Sequence, residues 1–349
     1  MVALIVTERV SLRAMSPGEG AAVARLWREL WDVLEGWGGY PGSQDPHVYA
    51  ELAHLLDGDA RVRAGHPVRG RHVHLVADVG GVLCGQVQGW VERHGVDPTT
   101  AFTCEVRSLI VTSRARGLGV GRILLDALAA SARILSHGSP SVLAADVLEP
   151  NPALSFYEHL GYMPISRTAR IEAANGVASA DALPGRPVAR VALPQDLASI
   201  ARLDGMLAAR RRAAGDVRFD PPRPFDAPIA GTLAPQSPSE RGGRPRNPAV
   251  LVSLDNDGIV RGGAFFIVQA LEPPFIPLRR ALVGRFAVDP ACAATPIVMS
   301  LVALACRLAL LEGAPYVEVA DLSSPDTELH AAALAAGAVP WSRTMAKIA

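Results

Sequence analysis

Lysine is almost absent from this chain. Of 34 basic residues among 349, Lys347 is the only lysine and the rest are arginine. Acidic residues match them, 34 against 34, so the formal net charge is zero. A nucleic-acid surface carries excess positive charge, so the balance argues against nucleic acid as the main partner. The arginine bias is read as the codon usage of a GC-rich genome, not as function. Cysteine is scarce: Cys84, Cys104, Cys292 and Cys306 are scattered with no metal-ligand spacing. They are expected to be reduced core residues of a cytoplasmic protein. Long apolar runs are missing too; none reaches the roughly 18 residues of a membrane span. The start, Met1 to Arg13, carries Glu8 and no signal-peptide pattern. No membrane partner and no metal are therefore expected. Roughly half the residues are apolar, enough for about two domain cores at this length.

What is present is a glycine loop, Arg116-Gly117-Leu118-Gly119-Val120-Gly121. It follows an apolar run, Val106 to Val111, and opens an amphipathic stretch, Arg122 to Ala132. A strand, a glycine turn and a helix start aim several backbone N–H groups at one point. The helix dipole adds partial positive charge there. The glycines admit close approach of the backbone. An anion, most simply a pyrophosphate, suits such a point. A nucleotide triphosphatase loop would end in Gly-Lys-Ser/Thr, whereas Gly121 is followed by Arg122 and Ile123. A dinucleotide loop would sit near the first strand of its sheet, and this one lies far from it.

The flanks decide the kind of loop. Glu105-Val106-Arg107-Ser108-Leu109-Ile110-Val111 precedes it; Asn151-Pro152-Ala153-Leu154 and Ser155-Phe156-Tyr157-Glu158-His159-Leu160-Gly161-Tyr162 follow. In order and spacing these segments resemble the GNAT superfamily of acyl-CoA-dependent N-acetyltransferases. They correspond to its fourth strand, its pyrophosphate loop and its fourth helix with the terminal "YEKLGF" box. The close resemblance spans roughly Thr7 to Ala173. It implies an α/β (α+β) fold: a mixed, splayed β-sheet flanked by helices.

Local signals agree with that element order. Val10 to Ala14 reads as a strand. Ser16, Pro17 and Glu19 form a capping box for a helix to about Leu34, with Ala22, Val23, Leu26, Leu30 and Val33 on one face. Gly36 to Gly42 breaks it, and Asp45-Pro46 starts a second helix to about Leu56. His72 to Asp78 and Val82 to Arg93 read as a hairpin around Gly80-Gly81. The third helix ends near His137-Gly138. Ser141 to Val147 is a strand, Asn151 caps a fourth helix, and Ile165 to Glu172 is a last strand.

The second half repeats the first. Gly161 to Thr168 is echoed by Gly337 to Thr344, and Val111 to Leu124 aligns without gaps to Val288 to Leu301. Pro187 to Leu207 repeats the strand-then-helix opening. Leu251 to Gln269 repeats the hairpin, turning at Asp255 to Gly258. Two tandem GNAT folds are expected, residues 1–178 catalytic and residues 179–349 degenerate. Ala294, Pro296 and Val298 stand opposite Gly117, Gly119 and Gly121, and proline removes a donor N–H. Alanine, Ala332 or Ala333, stands opposite Tyr157. The copy is not expected to bind acyl-CoA in the usual way. A Pro/Gly/Ser/Arg-rich stretch, Phe219 to Asn247, reads as a long loop.

Acetyl transfer to an amine needs a base or water relay, an oxyanion donor and an acid for the leaving thiolate. The resemblance implies acetyl-CoA as cofactor, held by Arg116, Gly117, Leu118, Gly119, Val120, Gly121 and Arg122. Main-chain groups of Leu109, Ile110 and Val111 would take the pantetheine arm, with the N–H near Leu109 or Ile110 as oxyanion donor. Arg116 reads as a phosphate contact or a solvated loop residue. Tyr157 is the candidate acid; packing is its alternative role. Asn151 caps its helix and either does or does not also touch pantetheine.

Glu105 and Asp146 are the candidate bases. Strand alternation puts Glu105, Arg107 and Leu109 on one side, and each carboxylate also has a structural reading. Asp146 resembles an arrangement in some aminoglycoside 6′-N-acetyltransferases, while the copy's Asp321 points to a structural role such as capping. Trp31, Asp32, Glu35, Trp37 and Tyr40 offer aromatic faces and carboxylates to a cationic substrate; Trp31 as core and the acids as a solvated face is the other reading. His72, His74 and His94 read as surface or hairpin residues. The expectation is N-acetylation of a small-molecule amine, with protein or peptide acetylation and a non-catalytic acyl-CoA sensor as alternatives. Mycothiol synthases resemble the tandem layout, but there the C-terminal half keeps catalysis. The second half either completes the acceptor cleft or makes a homodimer interface.

Overall fold

The computed structural model describes residues 10–42, 45–63, 66, 68–69, 71–93, 102–139, 141–181, 187–214, 248–271, 279–323 and 327–348. Glu8, His94 and the stretch 219–247 lie outside the described residues.

The first half opens with β1 (Val10–Ala14), α1 (Gly20–Leu34) and α2 (Pro46–Arg63). Half of the expected capping box forms, on a turn ahead of the helix. Ser16 to Glu19 forms a separate turn in which the Ser16 N–H donates to Glu19 Oε2 at 2.7 Å. Gly18, at φ +94°, breaks the helix there, so α1 starts only at Gly20. Asp57 of α2 takes the freed Gly18 and Gly20 N–H groups, at 2.9 and 2.8 Å. That cap comes from far along the chain, so no local pattern shows it. The second helix also outruns its expected end, reaching Arg63.

A two-residue β2 (Val68–Arg69) leads to the hairpin β3 (His72–Val79) and β4 (Val82–Arg93). Then come β5 (Phe102–Val111), α3 (Val120–Leu135), β6 (Ser141–Leu148), α4 (Ala153–His159) and β7 (Met163–Glu172). Val120, Leu124, Leu125 and Leu128 recur at helical spacing and bury α3 against the sheet. Each such side chain contributes about 2 kcal/mol of burial.

A helix absent from the sequence reading, α5 (Ala173–Asp181), spans the expected boundary at residue 178. The second half then runs β8 (Val188–Val191), α6 (Leu197–Ala213), β9 (Ala249–Leu254), β10 (Val260–Ala270), β11 (Arg279–Val288), α7 (Ala294–Leu311), β12 (Tyr316–Ser323), α8 (Thr327–Ala335) and β13 (Val339–Ile348). One feature repeats with an offset of 177 residues: Arg13 pairs with Glu19, and Arg190 with Asp196. In both, the acid also takes a backbone N–H three residues earlier, Ser16 or Leu193.

All these strands form one mixed sheet, ordered β1-β3-β4-β5-β6-β13-β7-β12-β11-β10-β9-β8, with β2 beside β3. The centre of that order is an exchange. β13, from the end of the chain, lies antiparallel to β6, pairing Thr344 with Asp146. β7, from the first half, lies antiparallel to β12, pairing Arg170 with Glu318. The two exchanged strands pair with each other. Packing follows the exchange: Met345 of β13 joins the first-half core, while Ala169, Ile171 and Ala173 join the second. The last strand therefore closes the other half's sheet, not its own.

The helix α7 corrects the reading that no apolar run reaches membrane-spanning length. Ala294–Leu311 is long and apolar enough by length and composition. It is largely buried because it packs on the second half's sheet on one side and on α5 and α8 on the other. At Gly176 of α5 a Cβ would sit 2.4 Å from Cys306 Sγ. The described chain holds its cysteines as free thiols, with Cys84, Cys104 and Cys306 buried.

Candidate active site

The ladder between β5 and β6 stops early. The strands run parallel from Phe102 beside Ser141 to Val106 beside Ala145, then separate. β5 continues on β4 as far as Val111 beside Gly85. The β6-facing edge of β5 beyond Val106, including the backbone of Leu109, Ile110 and Val111, therefore opens into a V.

At the end of β5 the chain makes a 3-10 turn, Ser113–Ala115, and then the glycine loop. Gly117 and Gly119 take φ +81° and +79°, the left-handed region that a glycine enters without strain. Residues 116 to 119 are exposed, while Val120 is buried. The Ile123 N–H bonds to Gly119 O at 3.1 Å, closing the first turn of α3. The N–H groups of Val120, Gly121 and Arg122 precede that bond and have no acceptor within the helix. No side chain caps them. A Cβ on Gly121 would stand 3.1 Å from Phe156 Cζ, so glycine lets α4 approach the loop. Arg116 is exposed, and its Nε donates to Val111 O at 3.3 Å. Its side chain thus ties the loop to the strand end. These donors, the adjoining V and the exposed glycines fit a pyrophosphate and a pantetheine arm.

Tyr157 lies on α4 and is buried, with ring centroids 5.2 Å from Tyr162 and 5.5 Å from Phe156. Burial holds its hydroxyl well above the usual phenol range, so it keeps its proton. Asn151 Oδ1 accepts the Ala153 N–H at 2.9 Å and so caps α4 as expected. The end of that helix fixes the alignment left open in the sequence. Tyr162 N–H donates to Tyr157 O, and Ala338 N–H to Ala333 O, so Ala333 replaces Tyr157 in the copy.

On the face of the sheet carrying Glu105, a cleft of about 410 Å³ spans both halves. Glu105 and Asp146 both line it, with Trp90 on one side and Arg280, Glu318 and Trp341 on the other. The alternation read for β5 holds: Val106, Ser108 and Ile110 are buried, while Glu105 and Arg107 are exposed. Glu105 faces Arg107 at 3.4 Å, and Arg107 lies 5.0 Å over the Trp90 ring. Asp146 caps nothing; its Oδ1 accepts the Thr344 hydroxyl at 2.6 Å.

None of the residues read as substrate contacts lines this cleft. Trp31 is buried in the first half, and its indole fills the space that a Cβ at Gly42 would need. Asp32 and Glu35 are exposed at the end of α1 and just beyond it, and Trp37 is half-buried on a following 3-10 turn. Tyr40 is buried; its hydroxyl donates to Glu318 Oε1 at 2.5 Å. Its ring, with those of Tyr316 and Trp341, surrounds Arg170 at 5.0 to 5.3 Å. The cation in that aromatic cage belongs to the chain itself. Burial pushes the Glu318 carboxyl up, against the pull of Arg280 and Tyr40. His72 and His74 lie on the hairpin strand β3, as one of the two readings had them; His74 is buried there, with Nε2 2.8 Å from Gln86 Oε1.

The sequence reading missed Ser166, Thr168, Ser342 and Thr344, which floor the cleft. They are the serine and threonine positions of the repeated segments Gly161–Thr168 and Gly337–Thr344. The repeat was visible; that both copies meet at one seam was not.

Residues 70–164 match the acetyltransferase (GNAT) domain family. That stretch, within the first half, is what matches the GNAT domain. Over its whole length the chain is similar in fold to a GCN5-related N-acetyltransferase from Sphaerobacter thermophilus. The identity is 17%, the TM-score 0.54, and 98% of this chain and 96% of that one are covered. It is also similar to a tandem GNAT protein from the clavulanic acid biosynthesis pathway: 17% identity, TM-score 0.50, 98% of each chain. No curated protein compared with the chain matches it. The fold is thus a tandem of two GNAT folds.

In the second copy the V between β11 and β12 also opens, beyond Val283 beside Val319. There the chain's own side chains crowd it. Arg285, at φ +53°, pairs with Asp204 of α6 at 2.5 Å, and buried Arg211 pairs with Asp321 at 2.8 Å. The first turn of α7 contains Pro296, which has no N–H to give.

Proposed function

We propose that the first half transfers an acetyl group from acetyl-CoA to a primary amine of a small molecule, by direct attack within a ternary complex. The observation that carries this reading is the set of uncapped N–H groups of Val120, Gly121 and Arg122 beside the V of β5 and β6. Three donors at a helix N-terminus suit a pyrophosphate. When bound there, acetyl-CoA supplies an acyl group already activated as a thioester.

The chain's own residues then have separable tasks. The backbone of Leu109 to Val111 borders the V and offers donors for a developing oxyanion. Tyr157 holds a proton on its hydroxyl, which a departing thiolate needs. Glu105 and Asp146 face the cleft and are the groups that can take a proton from an incoming ammonium, directly or through water. The cleft volume of about 410 Å³ falls in the range of small-molecule sites, which supports a small acceptor over a protein tail. The crowded V and Pro296 support one acyl-CoA site per chain.

The test is product analysis by mass spectrometry after incubation with acetyl-CoA and a panel of aminoglycosides, polyamines, amino acids and peptides. The reading expects N-acetylation of a small amine, with kcat reduced in Tyr157→Phe. Acetylated peptides alone, or tight CoA binding with no product from any acceptor, would overturn it.

A further inference from the structure

The acceptor face of the cleft is not made by the first half alone. Its floor is the seam β6-β13-β7-β12, and β13 comes from the other half. Among the cleft's carboxylates, Glu105 faces Arg107 at 3.4 Å. Glu318 takes Arg280 on both oxygens and Tyr40 on Oε1. Asp321 pairs with Arg211.

Asp146 differs. Its Oδ1 takes the Thr344 hydroxyl proton at 2.6 Å, and among the described residues no donor reaches Oδ2. A threonine hydroxyl has one proton and two acceptor lone pairs. With that proton given to Asp146, Thr344 Oγ1 still offers an acceptor. Asp146 Oδ2 and Thr344 Oγ1 therefore stand together as an oriented acceptor pair for an ammonium group. Glu92, exposed on β4, is the other cleft carboxylate with no ion pair among the described residues, and the Arg280 cation acts on Asp146 only at longer range, being held by Glu318.

We propose that the cleft seats a polycationic small amine across the two halves, one ammonium on Asp146, with Thr344 as the residue that positions that carboxylate. This rests on the reading of the first half as an acetyltransferase and names its acceptor class. It also gives the degenerate half a task, since Thr344 reaches Asp146 only through the strand exchange. Thr344 is a positioning residue; it fixes Asp146 and does no proton transfer.

Calorimetry with spermidine and with tobramycin, in the presence of CoA, tests the proposal on the full chain. Thr344→Val should weaken binding of whichever probe the wild type takes by about tenfold, the effect of losing one hydrogen bond to a charged group. Thr344→Ser should restore it to within about twofold, since it returns the hydroxyl. Acetyl-CoA affinity should not move, and acceptor KM should rise more than kcat falls. If Thr344→Val does not fold, exposed Asp146→Asn carries the same test. Unchanged binding in the variant, or no binding of either probe by the wild type, overturns the proposal. Polyamine binding that needs Thr344 but yields no acetylated product overturns the acetyltransferase reading and leaves this one standing. Turnover that is indifferent to Thr344→Val does the reverse.

Discussion

Arg211, buried on α6, pairs with Asp321 at 2.8 Å, and Asp321 occupies in β12 the place that Asp146 occupies in β6. The same strand position thus holds a locked carboxylate in one half and an exposed one in the other. Breaking a buried pair strands a charge, so Arg211→Met should cost about 3 kcal/mol. Asp146→Asn should cost less than 1 kcal/mol, as an exposed change. Thermal unfolding of both variants checks this. Equal losses would mean that the two positions do the same structural work.

Gly119 takes φ +79° at the start of α3. Alanine pays about 1 kcal/mol or more in that region. Gly119→Ala should therefore raise KM for acetyl-CoA at least about fivefold and leave acceptor KM unchanged, as steady-state kinetics would show. An equal rise in both would point to general disorder of the site.

The histidines of β3 give a pH dependence. Burial, with help from the nearby Arg63 cation, lowers His72 and His74 from 6.5 to about 4. Asp59 faces them with the opposite effect, and Arg107 adds to the lowering at His72. Between pH 6.5 and 4 the unfolded chain binds protons that the folded chain refuses. Stability from this source is whole above pH 6.5 and is lost as the pH falls toward 4. The melting temperature of His74→Gln should fall less steeply across that window than that of the wild type. Parallel curves would remove His74 from the account.

The cage around Arg170 makes a separate case. Its guanidinium lies between Tyr40 of the first half and Tyr316 and Trp341 of the second. Arg170→Gln should cost about 1 to 2 kcal/mol and change Trp341 fluorescence, since that indole also donates to Gly38 O at 2.9 Å. An unchanged emission spectrum would show that the cage does not depend on its cation.

Much of this was legible in the sequence, because it is written in local signals. The strands Val10–Ala14 and Val82–Arg93 alternate or turn at glycines, and the loop from Arg116 to Gly121 announces a helix N-terminus. The copy's decay was legible in Pro296 and the alanine opposite Tyr157. What stayed hidden depends on distant partners. Asp57 capping α1, Thr344 holding Asp146, and Tyr40 bound to Glu318 each join residues far apart in the chain. Trp31 was left between core and ligand contact, and Tyr40 was read as a ligand contact, for a simple reason: an aromatic ring suits a cationic ligand and a packed interior equally well. Only the close approach of Gly42 to Trp31, and Arg170 within the cage, tell the two apart.

In the proposed reaction the first half carries the transfer chemistry, while the second half helps to line the acceptor cleft. Thiol release from acetyl-CoA with an accepted amine tests it most directly, comparing the wild type, Tyr157→Phe, and a chain with Ala333→Tyr in the second half. The expected result is a kcat lower by about 10² or more in Tyr157→Phe and no gain in Ala333→Tyr. Full activity in Tyr157→Phe would contradict it.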